Sequence, residues 1–350
     1  MPERVIREGT HPFRPRPRLS PLLRRPAVLL AAAILLALCI LASLFVGSSR
    51  IPADQVAHYL LHPDASNVSY NINVLRVQRT IMGVLVGTAL AVAGAVMQAV
   101  TRNPLAEPGL LGVNAGASLG IVLGTAALGV LPVPGQLLLA AVGALVATAL
   151  VQVIGMIGGS TSSPVRLVLI GVAFSAFAGA VIRGVVLTMP NLFRTFIDWE
   201  VGSLTRADIP LLPMTLLVAL GTGAALLLAG TLDNIALGDD VAAALGTRVG
   251  LVRGLSLAVI TLLCATATTV AGPIGFVGLM APLTASWLMG PHRGWIVALC
   301  ALGGPVVVLA ADVLGRVLAR PGEMQVGLLT AFVGSPVLLL MVLRMKDRAS

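Results

Sequence analysis

Ten long apolar segments constrain this chain more than any other feature of its sequence. A bilayer has a hydrocarbon core about 30 Å thick, which a helix of roughly 20 apolar residues can cross. Lipid offers no hydrogen-bond partners, so the backbone of such a segment must satisfy its own polar groups as a helix. We therefore predict an all-α, polytopic integral membrane protein with about ten transmembrane helices, at residues 27–47, 76–99, 109–130, 136–157, 165–188, 211–230, 251–271, 274–289, 295–319 and 327–344.

Composition supports the same class. Hydrophobic residues make up 57% and charged residues only 11% of the chain, whereas charged residues make up about one quarter of a soluble domain. The net charge of +9 could indicate a nucleic-acid partner, but the basic residues are scattered between apolar runs. We interpret them as flanks of membrane spans, and we expect contact with lipid and none with nucleic acid.

The termini are predicted to lie in the cytosol. An even number of spans places both on one side of the membrane, and the distribution of Arg and Lys favours the cytosolic side. Residues 1–26 are rich in Arg and Pro and lack apolar periodicity. We expect them to form a disordered basic cytosolic tail, followed by one transmembrane domain over residues 27–350.

Polar motifs stand at the ends of several spans. Arg76 and Arg79 precede the second span and share one face if that helix begins early. Asp312 and Arg316 are four residues apart and are predicted to pair on one helix face. The other motifs are Gly94-Ala-Val-Met-Gln98, Arg102-Asn-Pro-Leu-Ala-Glu-Pro108, Leu237-Gly-Asp-Asp-Val-Ala-Ala-Ala-Leu-Gly246, Gly272-Pro-Ile-Gly-Phe-Val-Gly-Leu279, Pro291-His-Arg293 and Glu323.

The motif at residues 237–246 lies in a loop predicted at about 231–250. Asp239 and Asp240 suit the positive N-terminal end of a short helix, alanines propagate the helix, and Gly246 is placed to end it. A short helix with small residues on one face could dock on a partner. An ordinary surface helix would show the same pattern.

Together these motifs resemble the permease subunits of the FecCD type, which import ferric siderophores, haem and cobalamin. The resemblance covers nearly the whole chain after the tail. It implies that residues 27–350 form the permease of an ATP-binding-cassette importer in a bacterial plasma membrane. The implied partners are a second permease subunit, identical or different, two cytosolic ATPase subunits, and an extracytoplasmic binding protein that delivers a metal chelate. Frequency within the family favours a ferric siderophore, with haem and cobalamin as alternatives.

The resemblance also implies roles for two groups of residues. The loop helix would be the coupling helix that sits on the ATPase, formed by Leu237, Gly238, Asp239, Asp240, Ala243, Ala244, Leu245 and Gly246. The arginines that would meet acidic residues of the binding protein are Arg76, Arg79 and Arg316. Alternatively, these three arginines are interfacial anchors that reach the lipid head groups.

The translocation pathway is predicted to have an uncharged wall, since such a wall would hold a large chelate weakly enough to release it. We expect apolar and small residues of the second, fifth and eighth spans to line it, including Met97, Gln98 and Phe174.

Four positions depart from the family pattern. Leu283 stands where the family usually has His, and Ser286 where it usually has Arg. Gln78 and Gln325 stand where proline is usual. The first two changes remove a polar cluster near the eighth span and leave the substrate within the family open.

A weak internal repeat is present. A constant shift aligns Val92-Ala93-Gly94 with Val270-Ala271-Gly272, and Pro104-Leu105 with Pro282-Leu283. Five predicted spans separate the two copies, which would therefore have opposite orientations. Inverted repeats are typical of transporters with two halves around one pathway, and we predict two inverted, related halves here.

No set of catalytic residues stands out in the sequence. Lys346 is the only lysine, which excludes the Gly-x-x-x-x-Gly-Lys-Ser/Thr phosphate loop. ATP and magnesium would therefore bind to a partner, and we predict no catalytic residue, metal site or cofactor in this chain. Two other classes compete: an ion-coupled transporter, which would need acidic or His residues at mid-span, and a membrane-embedded enzyme, which would need a catalytic set.

Overall fold

The computed structural model describes residues 21–157, 164–189, 196–197, 199–205, 209–320 and 322–349, and within these ranges it contains helices and no strands. The prediction of an all-α membrane protein is confirmed: seven helices are long and apolar enough to cross a membrane, and three shorter ones are also apolar. In chain order, the helices are α1 (Pro21–Phe45), α2 (Ala53–Leu61), α3 (Asn67–Tyr70), α4 (Val77–Thr101), α5 (Val113–Leu128), α6 (Val133–Met156), α7 (Pro164–Thr188), α8 (Leu211–Ala236), α9 (Asp239–Ala244), α10 (Val249–Ala271), α11 (Val277–Met289), α12 (Arg293–Leu318) and α13 (Val326–Ala349).

Each of the ten predicted spans coincides with one of these helices, and the boundaries differ by up to six residues, the most at the start of α1 and the end of α8. α1 begins at Pro21, before the predicted end of the tail at residue 26, and residues 1–20 of that tail lie outside the described residues. α8 continues to Ala236, so the loop predicted at 231–250 is shorter. The physical reason is that Leu232 and Ile235 continue the buried face of α8.

α4 is the centre of the bundle. In its most apolar window 78% of the residues are buried, compared with 6% in α1 and 17% in α7. It packs against α8, α10, α11 and α12. Small residues allow the backbones to approach, as is usual between membrane helices. A Cβ on Gly87 would lie 2.5 Å from the Pro305 nitrogen of α12, and a Cβ on Gly94 would fall on the Gly278 carbonyl of α11.

Irregular backbone interrupts the bundle beside α4. Arg102 ends α4 in the left-handed conformation (φ 52°), and a 3₁₀ turn at Pro108–Leu111 leads into α5. Phe276, also left-handed (φ 69°), precedes α11. The break between α10 and α11 is held by protein backbone: the Ser203 amide donates to the Ala271 carbonyl (2.7 Å). Such breaks are tolerated at membrane depth where protein surrounds them.

Candidate functional site

Four charged residues join α4 and α12 at one end of the bundle, and we call them the Asp312 cluster: Arg79, Asp312, Arg316 and Glu323. Arg79 donates from Nε to both carboxylate oxygens of Asp312 (3.0 and 3.1 Å) and from a terminal nitrogen to one of them (2.6 Å). Arg316 pairs with the other oxygen. The predicted pairing of Asp312 with Arg316 is confirmed, while the pairing with Arg79 joins two distant parts of the sequence.

Three members of the Asp312 cluster are almost completely buried. The side chains of Asp312 and Arg316 are 1% and 2% exposed, and that of Arg79 is 11% exposed. Buried charges are tolerated only when paired and fully hydrogen-bonded. Arg316 gains a further bond by donating to the Ser43 carbonyl of α1 (2.7 Å). The cluster therefore fixes α1, α4 and α12 to one another.

Glu323 supplies the second negative charge of this cluster. It pairs with Arg79 and is 31% exposed, and it accepts a hydrogen bond from the Ser48 hydroxyl (2.7 Å). Burial opposes its ionisation, but the hydrogen bond and charge of Arg79 outweigh that effect and lower the pKa of Glu323. Two guanidinium groups are thus balanced by two carboxylates, one of which is open to solvent.

Arg76 binds the end of α1. Its terminal nitrogen Nη1 donates to the carbonyls of Leu44 (2.9 Å) and Phe45 (3.2 Å), which end that helix. The last carbonyls of a helix have no partner within the helix, so a cation placed there satisfies them. Arg76 is therefore a capping residue that attaches α1 to the start of α4.

The three arginines predicted to dock a binding protein all have partners within this chain, and their docking role stays a prediction. Arg76 is 5% exposed and Arg316 is 1% exposed. The reason is that the carbonyl end of α1 and the Asp312 carboxylate lie within reach of the guanidinium groups. Beside them is a cavity of about 250 Å³, lined also by Ser48 and Glu323. Whether a partner docks at this cavity stays a prediction.

A second group of charges, the Asp239 cluster, lies at the opposite end of α4 and consists of Arg102, Asp239 and Arg253. Asp239, the first residue of α9, pairs with Arg102 at the end of α4 and with Arg253 of α10 (3.0 Å). Arg102 also donates from Nε to the Ile235 carbonyl near the end of α8 (2.8 Å). The cluster thus links the short helix α9 to three long helices.

α9 itself presents an apolar surface at this end. The glycines at its two ends, Gly238 (φ 117°) and Gly246 (φ 81°), adopt left-handed backbone that glycine accepts without strain. Leu237, Val241 and Leu245 are 64%, 47% and 58% exposed. Exposed apolar side chains grouped on one surface mark a contact with another protein or with lipid. Ala243 and Ala244 are exposed beside them.

The residues predicted to line a pathway do not meet on one open wall. Met97 is 1% exposed inside the α4 packing, and the Gln98 side chain donates to the Leu279 carbonyl of α11 (3.1 Å). Phe174 on α7 is half-buried, with its ring against Gly112 at the start of α5. In this conformation α4 would have to separate from α11 to expose Gln98. The lining role of the three residues stays a prediction.

Glu107 is a polar contact that the sequence analysis missed. Its Oε1 accepts a hydrogen bond from the Phe276 amide (3.0 Å), next to the first turn of α11. A carboxylate is favourable at the positive N-terminal end of a helix. The only signal in the sequence is that Glu107 belongs to the Arg102–Pro108 motif, which does not identify its partner.

The positions that depart from the family pattern have local explanations. Leu283 is 2% exposed, and the Ser286 hydroxyl donates to the Leu283 carbonyl within α11 (2.7 Å), so these two positions form no polar cluster. Gln78 lies inside continuous helix, where its side chain donates to the Ile209 carbonyl (3.3 Å). Gln325 immediately precedes α13.

Within the described ranges no three His, Cys, Asp or Glu side chains are grouped so that they could hold a metal ion.

Comparison with known proteins matches residues 35–344 to the FecCD transport family. The chain is 43% identical over 303 residues to the ferric enterobactin transport system permease protein FepD of Escherichia coli (strain K12), covering 86% of this chain and 90% of that protein. It is 38% identical to the Fe(3+)-citrate import system permease protein YfmD of Bacillus subtilis (strain 168), covering 85% and 88%. A solved structure described as an inward-facing conformation of a metal-chelate type ABC transporter superposes with a TM-score of 0.79 and 25% identity, covering 91% of this chain and 99% of that chain.

Proposed function

This chain belongs to the FecCD transport family, and from that premise we propose that it carries a ferric siderophore across a bacterial plasma membrane. It is a multi-pass transport permease of the metal-chelate importer type, and its relatives are transport subunits and not enzymes. One observation carries the proposal: the family match runs through residues 35–344, which include α9 and both charge clusters.

The substrate class follows from the relatives. The most similar ones named above transport ferric enterobactin and Fe(3+)-citrate. Relatives named for hemin and for vitamin B12 are 35% and 33% identical to this chain. We therefore favour an iron(III) chelate, with haem and cobalamin as alternative substrates.

Energy is proposed to come from separate ATPase subunits that contact α9. The chain has no phosphate-binding loop, since its only lysine is Lys346. The exposed apolar residues Leu237, Val241 and Leu245 support a protein contact at α9, and the ion pairs of Asp239 connect that contact to α4 and α10. A displacement of α9 would thus be passed to three long helices.

The proposed contact of α9 with the ATPase also implies which end of the helix bundle faces the cytosol. The Asp239 end of the bundle faces the cytosol, and the Asp312 end faces outward, in agreement with the predicted cytosolic termini. The extracytoplasmic binding protein then docks at the Asp312 end, over the cavity beside Ser48 and Glu323. Its carboxylates would compete with Glu323 for Arg79, the cluster arginine with the most exposed side chain.

The function is tested by uptake into proteoliposomes that contain the complete transporter and an ATP-regenerating system. Ferric enterobactin, hemin and cobalamin are offered in turn, each preloaded on the cognate binding protein. The proposal expects uptake of the ferric chelate only with internal ATP. Uptake driven by a proton or sodium gradient without ATP would overturn it in favour of an ion-coupled transporter.

The coupling role of α9 has its own test. Ala243→Glu or Ala244→Glu places a charge on the proposed contact and should abolish transport-coupled ATP hydrolysis in a protein that still inserts in the membrane. Ala243→Ser is the matched control, because it keeps a small side chain and should couple normally. Normal coupling in the Glu variants, with normal co-purification of the ATPase, would remove α9 from the interface.

A further inference from the structure

Arg183 is a charged residue within a membrane span. It lies five positions before the end of α7 (Pro164–Thr188), inside the apolar span 166–188, and it is exposed. One face of α7 is packed: Ile182 and Val186 are 7% exposed and contact Val122 of α5. Arg183 is on another face, which the described residues leave open.

The side chain of Arg183 is directed toward the interior of the membrane. A Cβ on Gly179, one helical turn before Arg183, would lie 3.6 and 3.7 Å from the two terminal guanidinium nitrogens. Gly179 is about 13 Å from the end of α7 by helical rise. The hydrocarbon core is about 30 Å thick, so the guanidinium group lies inside it and does not extend to the nearer interface.

A guanidinium group at that depth is not compatible with contact to lipid tails. Arg is among the residues least favourable at the centre of a membrane helix, and intramembrane charges almost always face a bundle interior or a water-filled cavity. The same face of α7 carries Leu169 and Val172, which are 64% and 48% exposed. An apolar wall with one cation therefore borders a polar space and not the bilayer.

We propose that Arg183 is a binding residue for the substrate in the translocation pathway, and that the substrate is an anionic metal chelate with an apolar body. This inference rests on the proposed function and specifies the charge of its substrate. The rigid fork of a guanidinium group donates paired hydrogen bonds to carboxylate or catecholate oxygens, while Leu169 and Val172 contact the apolar part of the chelate. The wall is then apolar with a single cation, whereas the sequence analysis expected it to be uncharged.

Glu200 lies on the segment that follows α7. Burial raises the pKa of Glu200, and the charge of Arg183 opposes that rise. In the proposed mechanism Glu200 is a counter-ion that the incoming chelate displaces, and removing it should not weaken transport.

The test measures uptake of ⁵⁵Fe-labelled ferric enterobactin, an anionic chelate, by ATP-loaded proteoliposomes with the complete transporter. We expect Arg183→Gln to lower uptake roughly tenfold, as the loss of a hydrogen bond to a charged group would. Arg183→Lys should retain most of the uptake, and Arg183→Glu should lose more than Arg183→Gln. Arg50→Gln, which removes an exposed cation from the segment between α1 and α2, is the control and should transport like the wild type.

Glu200→Gln distinguishes a chelate-binding role of Arg183 from a purely structural ion pair between Arg183 and Glu200. The proposal expects uptake at or above the wild-type level. If Glu200→Gln loses as much as Arg183→Gln and the double variant loses no more, the two residues form a structural pair and the inference fails. Wild-type uptake by Arg183→Gln would also overturn it while leaving the proposed function intact. If the wild type imports no ferric chelate at all, the proposed function itself fails.

Discussion

The Asp312 cluster and the Asp239 cluster are alike in chemistry and opposite in environment. In each cluster one aspartate pairs with two arginines, one of which lies on α4 or at its end. At the Asp312 end the aspartate and its two arginines are 1% to 11% exposed, whereas at the Asp239 end Arg102 and Asp239 are 38% and 42% exposed and Arg253 is 10% exposed. The ion pairs of the aspartate are therefore buried at one end of α4, and at the other end two of the three side chains are accessible to water.

Burial changes the energetics of an ion pair, because it lowers the local dielectric constant and removes the charges from water. Buried pairs are costly to form and costly to break, because removing one partner leaves the other as an unpaired buried charge. Exposed pairs contribute little to stability, and they form and separate easily. The Asp312 end is therefore suited to holding its helices together, and the Asp239 end to changing its contacts.

The largest effect is expected at the Asp312 end. Asp312→Asn keeps the side-chain shape but leaves Arg79 and Arg316 without their shared carboxylate, and it should cost about 3–5 kcal/mol of stability. Unfolding of the purified protein in mixed detergent micelles measures this loss. Asp239→Asn is the matched change in the other cluster and should cost less than about 1 kcal/mol. Equal losses in the two variants would contradict the comparison.

The next largest effect is on coupling at the Asp239 end. Asp239→Asn should reduce ATP-driven uptake by roughly fivefold, the lower end of typical coupling free energies, while ATP hydrolysis continues. The reason is that α9 loses its links to Arg102 and Arg253. Asp240→Asn is the control, since Asp240 is the adjacent exposed aspartate and takes no part in the cluster. A variant of Asp239 that couples normally would show that α9 moves the long helices by another route.

Acid should weaken the Asp312 end selectively. The pKa of Glu323 is lower in the folded protein than in the unfolded chain, so its stabilising contribution is present above the unfolded pKa and is lost as pH falls through the folded value. We expect less than about 1 kcal/mol to be lost below roughly pH 4, because Glu323 is partly exposed. The wild type should show this decline in unfolding experiments, and Glu323→Gln should not. An identical decline in both would assign it to other carboxylates.

The smallest effect concerns docking of the binding protein. Glu323→Gln removes the competitor for Arg79, so the loaded binding protein should bind about two- to fivefold more tightly at low salt, the range expected for one exposed ion pair. The gain should shrink as salt screens the charges. Surface plasmon resonance with the transporter in nanodiscs measures both. Unchanged affinity at every salt concentration would place the docking surface away from Arg79.

Sequence patterns predicted the parts of this molecule that depend on local physics. The apolar runs located all ten long or short apolar helices, because span length is set by the bilayer. The Asp312–Arg316 pair followed from helical spacing. α9 begins at Asp239 and ends before Gly246, as predicted, because helix ends depend on a few neighbouring residues.

Contacts between distant residues could not be predicted in the same way. Arg79 faces Asp312 only because α4 packs on α12, and Glu107 meets the Phe276 amide only because two breaks in the helices come together. The contact of Arg76 with the carbonyl end of α1 likewise depends on the packing of two distant segments. The two inverted halves and the roles of Met97, Gln98 and Phe174 stay predictions.

The glycine contacts of α4 have a consequence for motion. Gly87 lies against Gly304, and Gly94 lies against Gly278, so α4 meets α12 and α11 through backbone at these points. Interdigitated side chains resist sliding, because each must change rotamer to pass its neighbour, whereas backbone surfaces without side chains have no such rotamers to change. Small shear displacements of packed helices are a known form of conformational change in proteins. Sliding of α4 against its neighbours would therefore have a low barrier at the middle of the helix. The buried pair with Asp312 would hold one end of α4 in place, and the exposed pair with Asp239 would allow the other end to move.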